Sequence, residues 1–564
     1  MELNKMETFS RFSEIIGRSF VITDLKKMEP FTQGWRLGGG AALVVLRPGS
    51  LLEMWYVIKI CVEADIAVLV QATNTGLTGG STPNGADYDR PLAIVNTLRI
   101  DEIHLIKDAT QFVALAGATL FELENKLHKS GREPHSVLGS SCIGASIVGG
   151  VCNNSGGALL QRGPAYTELA LYAQVNSQGE LELVNELDID LGNTPEQILK
   201  NLQEKNYGDE AVKDTERLAS DCSYHERVRD VNADTPARYN HNAERLSGAS
   251  GCAGKIAVFA VRIDSYQRAN HKQVFYVGIH DTFLLETMRR EILTSFKNLP
   301  ASGEYVHRRV YDVTKEYGKD NFYVINTVGS KYIPKLFKWK NIIDRWATKL
   351  SFLSDNFSDR LMQKLSYLLP NHLPKRMEEY RNKYEHHWIL ETTNDGVEEA
   401  RDYLDSFFKQ HDGGFFECSP SEGDKAMLHR FLAAGAISRY HMCQSQSLGQ
   451  MISIDVALKR NEWDWSANSI DAAENLVADK FCYGHFFCHV LHQNYILTKG
   501  TDAKQVKQII LGELEDRGAE YPAEHNVGHE YRAKKDLFAH YQKLDPTNSF
   551  NPGVGQTSKN KNWN

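Results

Sequence analysis

Three histidines crowd the segment YGHFFCHVLHQNY: His485, His489 and His492, spaced four and three apart, with Asn494 two residues beyond. Some thirty residues later AEHNVGHE supplies Glu524, His525 and His529. Imidazoles with a carboxylate can ligate a metal ion, and an imidazole titrating near neutrality can take a proton from a hydroxyl group. On a helix the three histidines would share a face, whereas on a strand they would alternate irregularly. Any one of them alone could be an ordinary hydrogen-bonded histidine at a domain interface; the clustering favours chemistry.

Two glycine-rich tracts form a second group. AVLVQATNTGLTGGSTPNG runs from a buried-strand pattern into a loop where Gly76, Gly79 and Gly80 mix with Asn74, Thr75, Thr78 and Ser81. Glycines let backbone N–H groups curl around an anion, and small hydroxyl and amide side chains add donors, so this loop suits a phosphate. The second tract, LGSSCIGASIVGGVCNNSGGALLQRGPA, has no long side chains to obstruct a flat ligand. Other nucleotide motifs fail: Gly254-Lys255 is followed by Ile256 and position 249 is Ala249, so there is no P-loop. Gly38-Gly39-Gly40 does not extend to a dinucleotide fingerprint.

The elements that must position these residues are legible in outline. AALVVLRP, AVLVQA and LAIVNT read as strands around a helical LLEMWYVIKICVEADI, within a compact α+β unit. A polar stretch over 193–242 interrupts it before KIAVFAVRID restores apolar alternation, and a domain edge is expected near Ser265. QVFYVGIH, NFYVINTV and HHWILETT read as strands of a second domain, and 557–564 as a disordered polar tail. With 564 residues, two to four domains are expected. The nine cysteines are scattered without a CxxC pair, which indicates reduced thiols rather than a disulfide framework. A net charge of -8 and the lack of zinc-finger or RNP patterns argue against a nucleic-acid partner. No signal segment follows Met1, and no apolar run reaches the roughly 20 residues of a membrane span.

One stretch reverses the sign of the chain. Residues 331–376 carry ten Lys and Arg, among them Lys331, Lys335, Lys338, Lys340, Arg345 and Lys349, against Asp344, Asp355 and Asp359. Leu336, Trp339, Ile343, Trp346, Leu350 and Leu353 recur at three and four, which predicts one apolar helical stripe. The pattern alone suits a core helix with a solvated basic face. The charge reversal turns the reading toward a helix lying in an anionic phospholipid surface, its lysine stems snorkelling.

TNTGLTGGS, GSSCIGASIVGGVCNNSGG, SGCAGKIAVFAVR and AEHNVGHE, in this order, resemble the vanillyl-alcohol-oxidase-type FAD flavoproteins, and most closely the respiratory, quinone-linked D-lactate dehydrogenases. YGHFFCHVLHQ and LPNHLPKRM extend the resemblance over nearly the whole chain. It implies an α+β architecture with a two-part FAD-binding domain (1–264), a cap domain with an antiparallel sheet (265–306 and 385–513, with a further membrane piece near 420–443), a basic membrane-binding region (307–384) and a C-terminal segment (514–564) returning to the FAD site. By the same resemblance Ala72, Thr73, Asn74, Thr75, Gly76, Gly80 and Ser81 hold the pyrophosphate of a non-covalent FAD, Gly139, Ser146 and Gly156 hold the remainder, and Val258 offers its backbone.

Related 2-hydroxyacid flavoenzymes carry HxGDGNxH and GEHGxG. His485 and His492 keep the seven-residue separation of two metal ligands, Glu524 matches the third, and His525 matches the catalytic base. GDGN is replaced here by Phe487, Cys488, His489 and Val490, which leaves the divalent metal open but not the base. Arg430 is a candidate cation for the substrate carboxylate, or part of a membrane-facing helix. The implied activity is oxidation of D-lactate with electrons passed to a membrane quinone, peripherally, at the cytoplasmic face of the inner membrane. The alternatives are another D-2-hydroxyacid, such as 2-hydroxyglutarate or glycolate, and a non-catalytic flavin-binding membrane adaptor.

Overall fold

The structure, a computed structural model, describes residues 2–135, 144–328, 357–466 and 471–564. Gly139 and the basic apolar stripe from Leu336 to Leu353 lie outside the described residues. Sheets of four, five and seven strands organise the rest.

In the first sheet β1 (Val21–Ile22), β2 (Val44–Leu46), β3 (Ala67–Gln71) and β4 (Leu92–Asn96) lie in the order β1-β2-β4-β3, with β2, β4 and β3 parallel. A parallel pair needs a crossover, and the Leu51–Glu63 helix provides it. Ser50 caps that helix by accepting from the Glu53 N–H, and Met54, Trp55, Ile58 and Cys61 bury one face. β3 runs directly into the first glycine loop, placing it beyond the carboxyl end of a parallel strand, where open α/β sheets bind ligands.

The second sheet is antiparallel: β5 (Ile103–Ile106), β6 (Gln111–Leu115), β7 (Ala170–Val175), β8 (Leu181–Asn185) and β9 (Ala257–Asp264), ordered β8-β7-β9-β6-β5. The second glycine tract packs on it through the Ile147–Cys152 helix, whose Ile147 and Val151 join a core with Phe112, Val258 and Ile263.

The seven-stranded sheet comprises β10 (Lys272–Ile279), β11 (Ser302–His307), β12 (His386–Thr393), β13 (Gly414–Glu417), β14 (Leu448–Ala457), β15 (Val477–His485) and β16 (Val490–Thr498), ordered β13-β10-β12-β11-β15-β16-β14 and antiparallel throughout. QVFYVGIH and HHWILETT thus pair with each other. Because side chains alternate along a strand, the sheet has two different faces. Ile452, Ile454, Leu491 and Tyr495 enter the larger core, while Phe481, Tyr483, Ile496 and Val306 on the opposite face meet the helices Arg308–Tyr317, Pro420–Phe431 and Ala433–Cys443.

Two expectations are corrected. NFYVINTV is not a strand but the body of the helix Lys319–Val328; β-branched composition suggested a strand, yet packing buries Phe322 from a helical register. The end of the chain is not a disordered tail. Trp563 Nε1 donates to the Asp545 carbonyl at 2.9 Å, Lys561 pairs with Asp65 at 2.8 Å, and Val68 of β3 exchanges backbone hydrogen bonds with Ser549 and Asn551.

Candidate active site

The segment AEHNVGHE ties the two glycine tracts together. Thr78 donates its hydroxyl to the Asn526 carbonyl at 2.7 Å, and the His529 N–H donates to the Thr78 carbonyl at 2.9 Å. Asn526 Nδ2 donates to Asn153 Oδ1 of the second tract at 2.7 Å. Approach is so close that a Cβ on Gly80 would stand 2.8 Å from the Asn526 amide, and one on Gly156 would run into Arg238 and Glu524. Asn551 donates both to the Gly80 carbonyl, at 2.9 Å, and to the Ala253 carbonyl, at 2.8 Å.

Within the first loop the predicted residues fall into two groups. Asn74, at φ +55°, donates to the Gln33 carbonyl at 2.7 Å and accepts the Ser81 hydroxyl at 2.8 Å, so their side chains hold the loop's shape. Ala72 accepts from Asn96, and the Thr73 and Thr75 hydroxyls lie 3.4 Å apart. The backbone N–H groups from Thr73 to Ser81 donate to no other group among the described residues, and a Cβ on Gly76 would meet nothing nearer than Ser81 Oγ at 4.0 Å. An open row of backbone donors fits a pyrophosphate. In the second tract the Ser146 hydroxyl is occupied as a helix cap, accepting from the Gly149 N–H at 3.2 Å. Val258 is buried in β9 opposite Tyr172, with no ladder partner on its other side because the pairing with β6 begins at Ala260. These features fit an FAD laid across both tracts.

Beside this cradle, one face of four adjacent strands carries the titratable groups. Register puts Glu304 opposite His485, Tyr483 opposite His492, and Asp455 opposite His492, with Ser453 opposite Asn494. The open choice between helix and strand for the histidines is settled: His485 ends β15, His492 lies in β16, and His489 makes the turn between them in the left-handed region at φ +53°. His489 is wholly buried, held by Glu286 at 2.9 Å and the Lys459 carbonyl at 3.1 Å, so it fixes the hairpin that presents the other two. His529 is likewise committed, to the Thr82 carbonyl at 2.8 Å.

His485 sits between two carboxylates, Nδ1 2.6 Å from Glu304 and Nε2 3.3 Å from Glu524. Burial opposes its charge, but Glu304 and Glu524 outweigh that and push its pKa up to about 10. His492 Nε2 is 3.6 Å from Glu524; burial draws its pKa down to about 3. Burial also works against the charge of Glu524, yet His485 and Arg238 hold that carboxyl well below its usual value. Arg238 is 3 % exposed and pairs with Glu524. Arg430 forms an ion pair with Glu304 at 2.8 Å from the Pro420–Phe431 helix and lies 4.7 Å above the Tyr483 ring, so it is buried at this site rather than facing outward.

His525 Nδ1 is 3.0 Å from Asp455, which also accepts the Glu524 N–H at 2.7 Å. Burial lowers the pKa of His525, but the Asp455 carboxylate overrides it and raises the value to about 9. Ligand atoms of His485, His492 and Glu524 all lie within 4.8 Å of one another. With Nδ1 of His485 already held by Glu304, as metal-bound imidazoles are held, this donor set fits a divalent cation.

Glu304, Asp455, Arg238 and Asn526 are not legible as site residues in the sequence. Glu304 in SGEYVH and Asp455 in MISIDVAL are lone acids inside apolar strands, and the cost of burying them was the available signal.

Comparison with known proteins decides the family. A family described as "D-lactate dehydrogenase, membrane binding" matches residues 274–563, and one described as "FAD binding domain" matches 42–182. The quinone-dependent D-lactate dehydrogenase of Haemophilus influenzae is 50 % identical over 100 % of both chains. That of Escherichia coli is 50 % identical over 98 % of this chain and 97 % of its own. This chain belongs to the quinone-dependent D-lactate dehydrogenase family. Its fold is shared more widely: p-cresol methylhydroxylase superposes with a TM-score of 0.58 at 12 % identity, covering 99 % of this chain and 98 % of the other. A D-lactate dehydrogenase of this family is an FAD oxidoreductase associated peripherally with the membrane, and among the described residues no helix is long and apolar enough to cross one.

Proposed function

We propose that this D-lactate dehydrogenase oxidises D-lactate to pyruvate and passes the two electrons to a membrane quinone, with His525 as the base. The observation that carries the assignment of roles is the double duty of AEHNVGHE: the segment that joins both glycine tracts also sets His525 against Asp455. Asp455 fixes the ring through Nδ1 and leaves Nε2 to receive the hydroxyl proton of the substrate. FAD, when bound, supplies the acceptor for the hydride from C2. Thr73 to Ser81 would hold its pyrophosphate through backbone donors, and Gly156 would let the second tract pack closely against Arg238 and Glu524 beside the rest. His485, His492 and Glu524 would hold a divalent cation, whose chemistry there would be to polarise the substrate oxygen. Without it, the His485 charge and Arg238 neutralise Glu524.

The domain reading fits the same proposal, with 1–264 carrying FAD, 265–306 and 385–513 forming the cap, 307–384 meeting an anionic phospholipid surface at the cytoplasmic face of the inner membrane, and 514–564 returning to the site. Leu361, Leu365, Tyr367 and Leu368, which follow the basic stripe in sequence, are exposed apolar side chains of the kind such a surface would cover. The deciding experiment is anaerobic addition of D-lactate to the purified yellow protein. Bleaching of the flavin, reversed by a quinone analogue, is expected; a flavin that stays oxidised refutes the assigned substrate.

A further inference from the structure

We propose that Arg36, on the loop between Gln33 and Gly40, is the cation that receives the substrate carboxylate. The inference rests on the reading of His525 as the base for a small 2-hydroxyacid. Arg238, Arg430 and Arg36 each touch a residue of the site, and two of them are already neutralised. Arg238 is bound to Glu524 and Arg430 to Glu304, both pairs largely buried. An incoming carboxylate that took either would have to compete with a buried acid already paired to that arginine, leaving the acid to its histidine alone. Arg36 differs: it is exposed, and among the described residues it donates from Nη2 to a neutral hydroxyl, Ser453 Oγ, at 2.8 Å.

Its position suits the role. The Ser453 hydroxyl donates to Asn494 Oδ1 at 2.6 Å, and Ser453 stands two residues before Asp455 on β14. Residues two apart on a strand point the same way, about 6.6 Å from each other. Arg36 is therefore held over the Ser453 end of the row whose other end, Asp455, holds His525. A molecule with a carboxylate and a hydroxyl on neighbouring carbons can reach both ends, whereas a simple alcohol has nothing to offer Arg36. The Arg36 charge is felt at His525, Tyr483 and Tyr531.

The loop that carries Arg36 also rests on the cofactor cradle. Gly38 and Gly79 meet backbone to backbone, at φ +89° and +77°; a Cβ on Gly79 would stand 2.9 Å from the Gly38 Cα and from the Leu37 carbonyl. Gln33 at the start of the loop accepts from Asn74. Arg36 thus bridges the glycine loop and the seven-stranded sheet, and a guanidinium can grip a carboxylate with two parallel hydrogen bonds.

Three measurements test this on the FAD-loaded protein. Arg36→Ala should lower kcat/KM for D-lactate with a soluble dye by about ten- to a hundredfold, mostly through KM, with Arg36→Lys intermediate. It should also erase the preference for D-lactate over methyl D-lactate, whose carboxylate is masked, and weaken oxalate binding, read by calorimetry, by a similar factor. Arg430→Gln should slow flavin reduction while keeping that acid-over-ester preference. Equal losses on acid and ester, unchanged oxalate affinity in Arg36→Ala, or loss of the preference in Arg430→Gln would each overturn the proposal. If the parent protein fails to oxidise D-lactate but binds oxalate through Arg36, the assigned substrate falls and the carboxylate clamp stands.

Discussion

Replacing Asp455 by Asn tests the base directly, because it keeps an oxygen for the Glu524 N–H while removing the charge that acts on His525. In the parent protein His525 has a pKa raised to about 9, so most of the rings are protonated, and unable to act as a base, below that pH. At pH 7 about a hundredth of the molecules would carry a neutral ring, and flavin reduction by D-lactate should rise nearly tenfold per pH unit until it levels near pH 9. Without the Asp455 carboxylate the pKa should fall toward the ordinary 6.5, making about three quarters of the rings neutral at pH 7. Loss of the partner at Nδ1 costs orientation, on the order of a hundredfold for a positioned base. The two effects offset at pH 7, where Asp455→Asn should come within a few-fold of the parent. At pH 9.5 only the loss remains, and the variant should be about a hundredfold slower. Stopped-flow flavin reduction from pH 6 to 10 reads both limbs. A parent rate flat across that range, or an inflection that Asp455→Asn leaves in place, would refute His525 as the titrating base.

Gly76→Val should cost the protein its FAD, since the added branches would stand over the open row of backbone donors; an unchanged flavin-to-protein absorbance ratio would place the pyrophosphate elsewhere. His489→Ala should lower stability by about 1–3 kcal/mol, because it strips a buried partner from Glu286 at the hairpin turn, while substrate affinity per folded molecule changes little. Exhaustive chelation, checked by elemental analysis, should slow turnover if His485, His492 and Glu524 hold a divalent cation, and activity that survives complete demetallation would leave them the ion-pair network alone. Neutralising Lys335, Lys338, Lys340 and Lys349 together should release the protein from anionic vesicles and impair quinone reduction but not dye reduction, each lysine contributing about 1 kcal/mol at the surface; unchanged co-sedimentation would contradict the membrane reading.

What could be read from the sequence follows from how local each determinant is. The glycine loop is legible locally: the order strand, Gly76, Gly79, Gly80 with Asn74 and Ser81 stands within one short window and includes one of the side-chain hydrogen bonds that hold its shape. The helix Leu51–Glu63 is local too, with its Ser50 cap and one buried face. The pairing of His485 with His492 needed more, because the same spacing fits a helix face, and only the left-handed turn at His489 decides for a hairpin. Glu304, Asp455 and Arg238 are set by pairings across the chain, 181 residues between Glu304 and His485 and 286 between Arg238 and Glu524, so no window on the sequence contains them. Their signal was energetic rather than periodic. A carboxylate in an otherwise apolar strand is too costly to bury without a partner, and every such acid at this site turned out to face a histidine or an arginine. Arg36 stands apart on the same energetics: where each buried acid of the site already has its cation, an arginine that among the described residues donates to a hydroxyl is the one left for a ligand that brings its own charge.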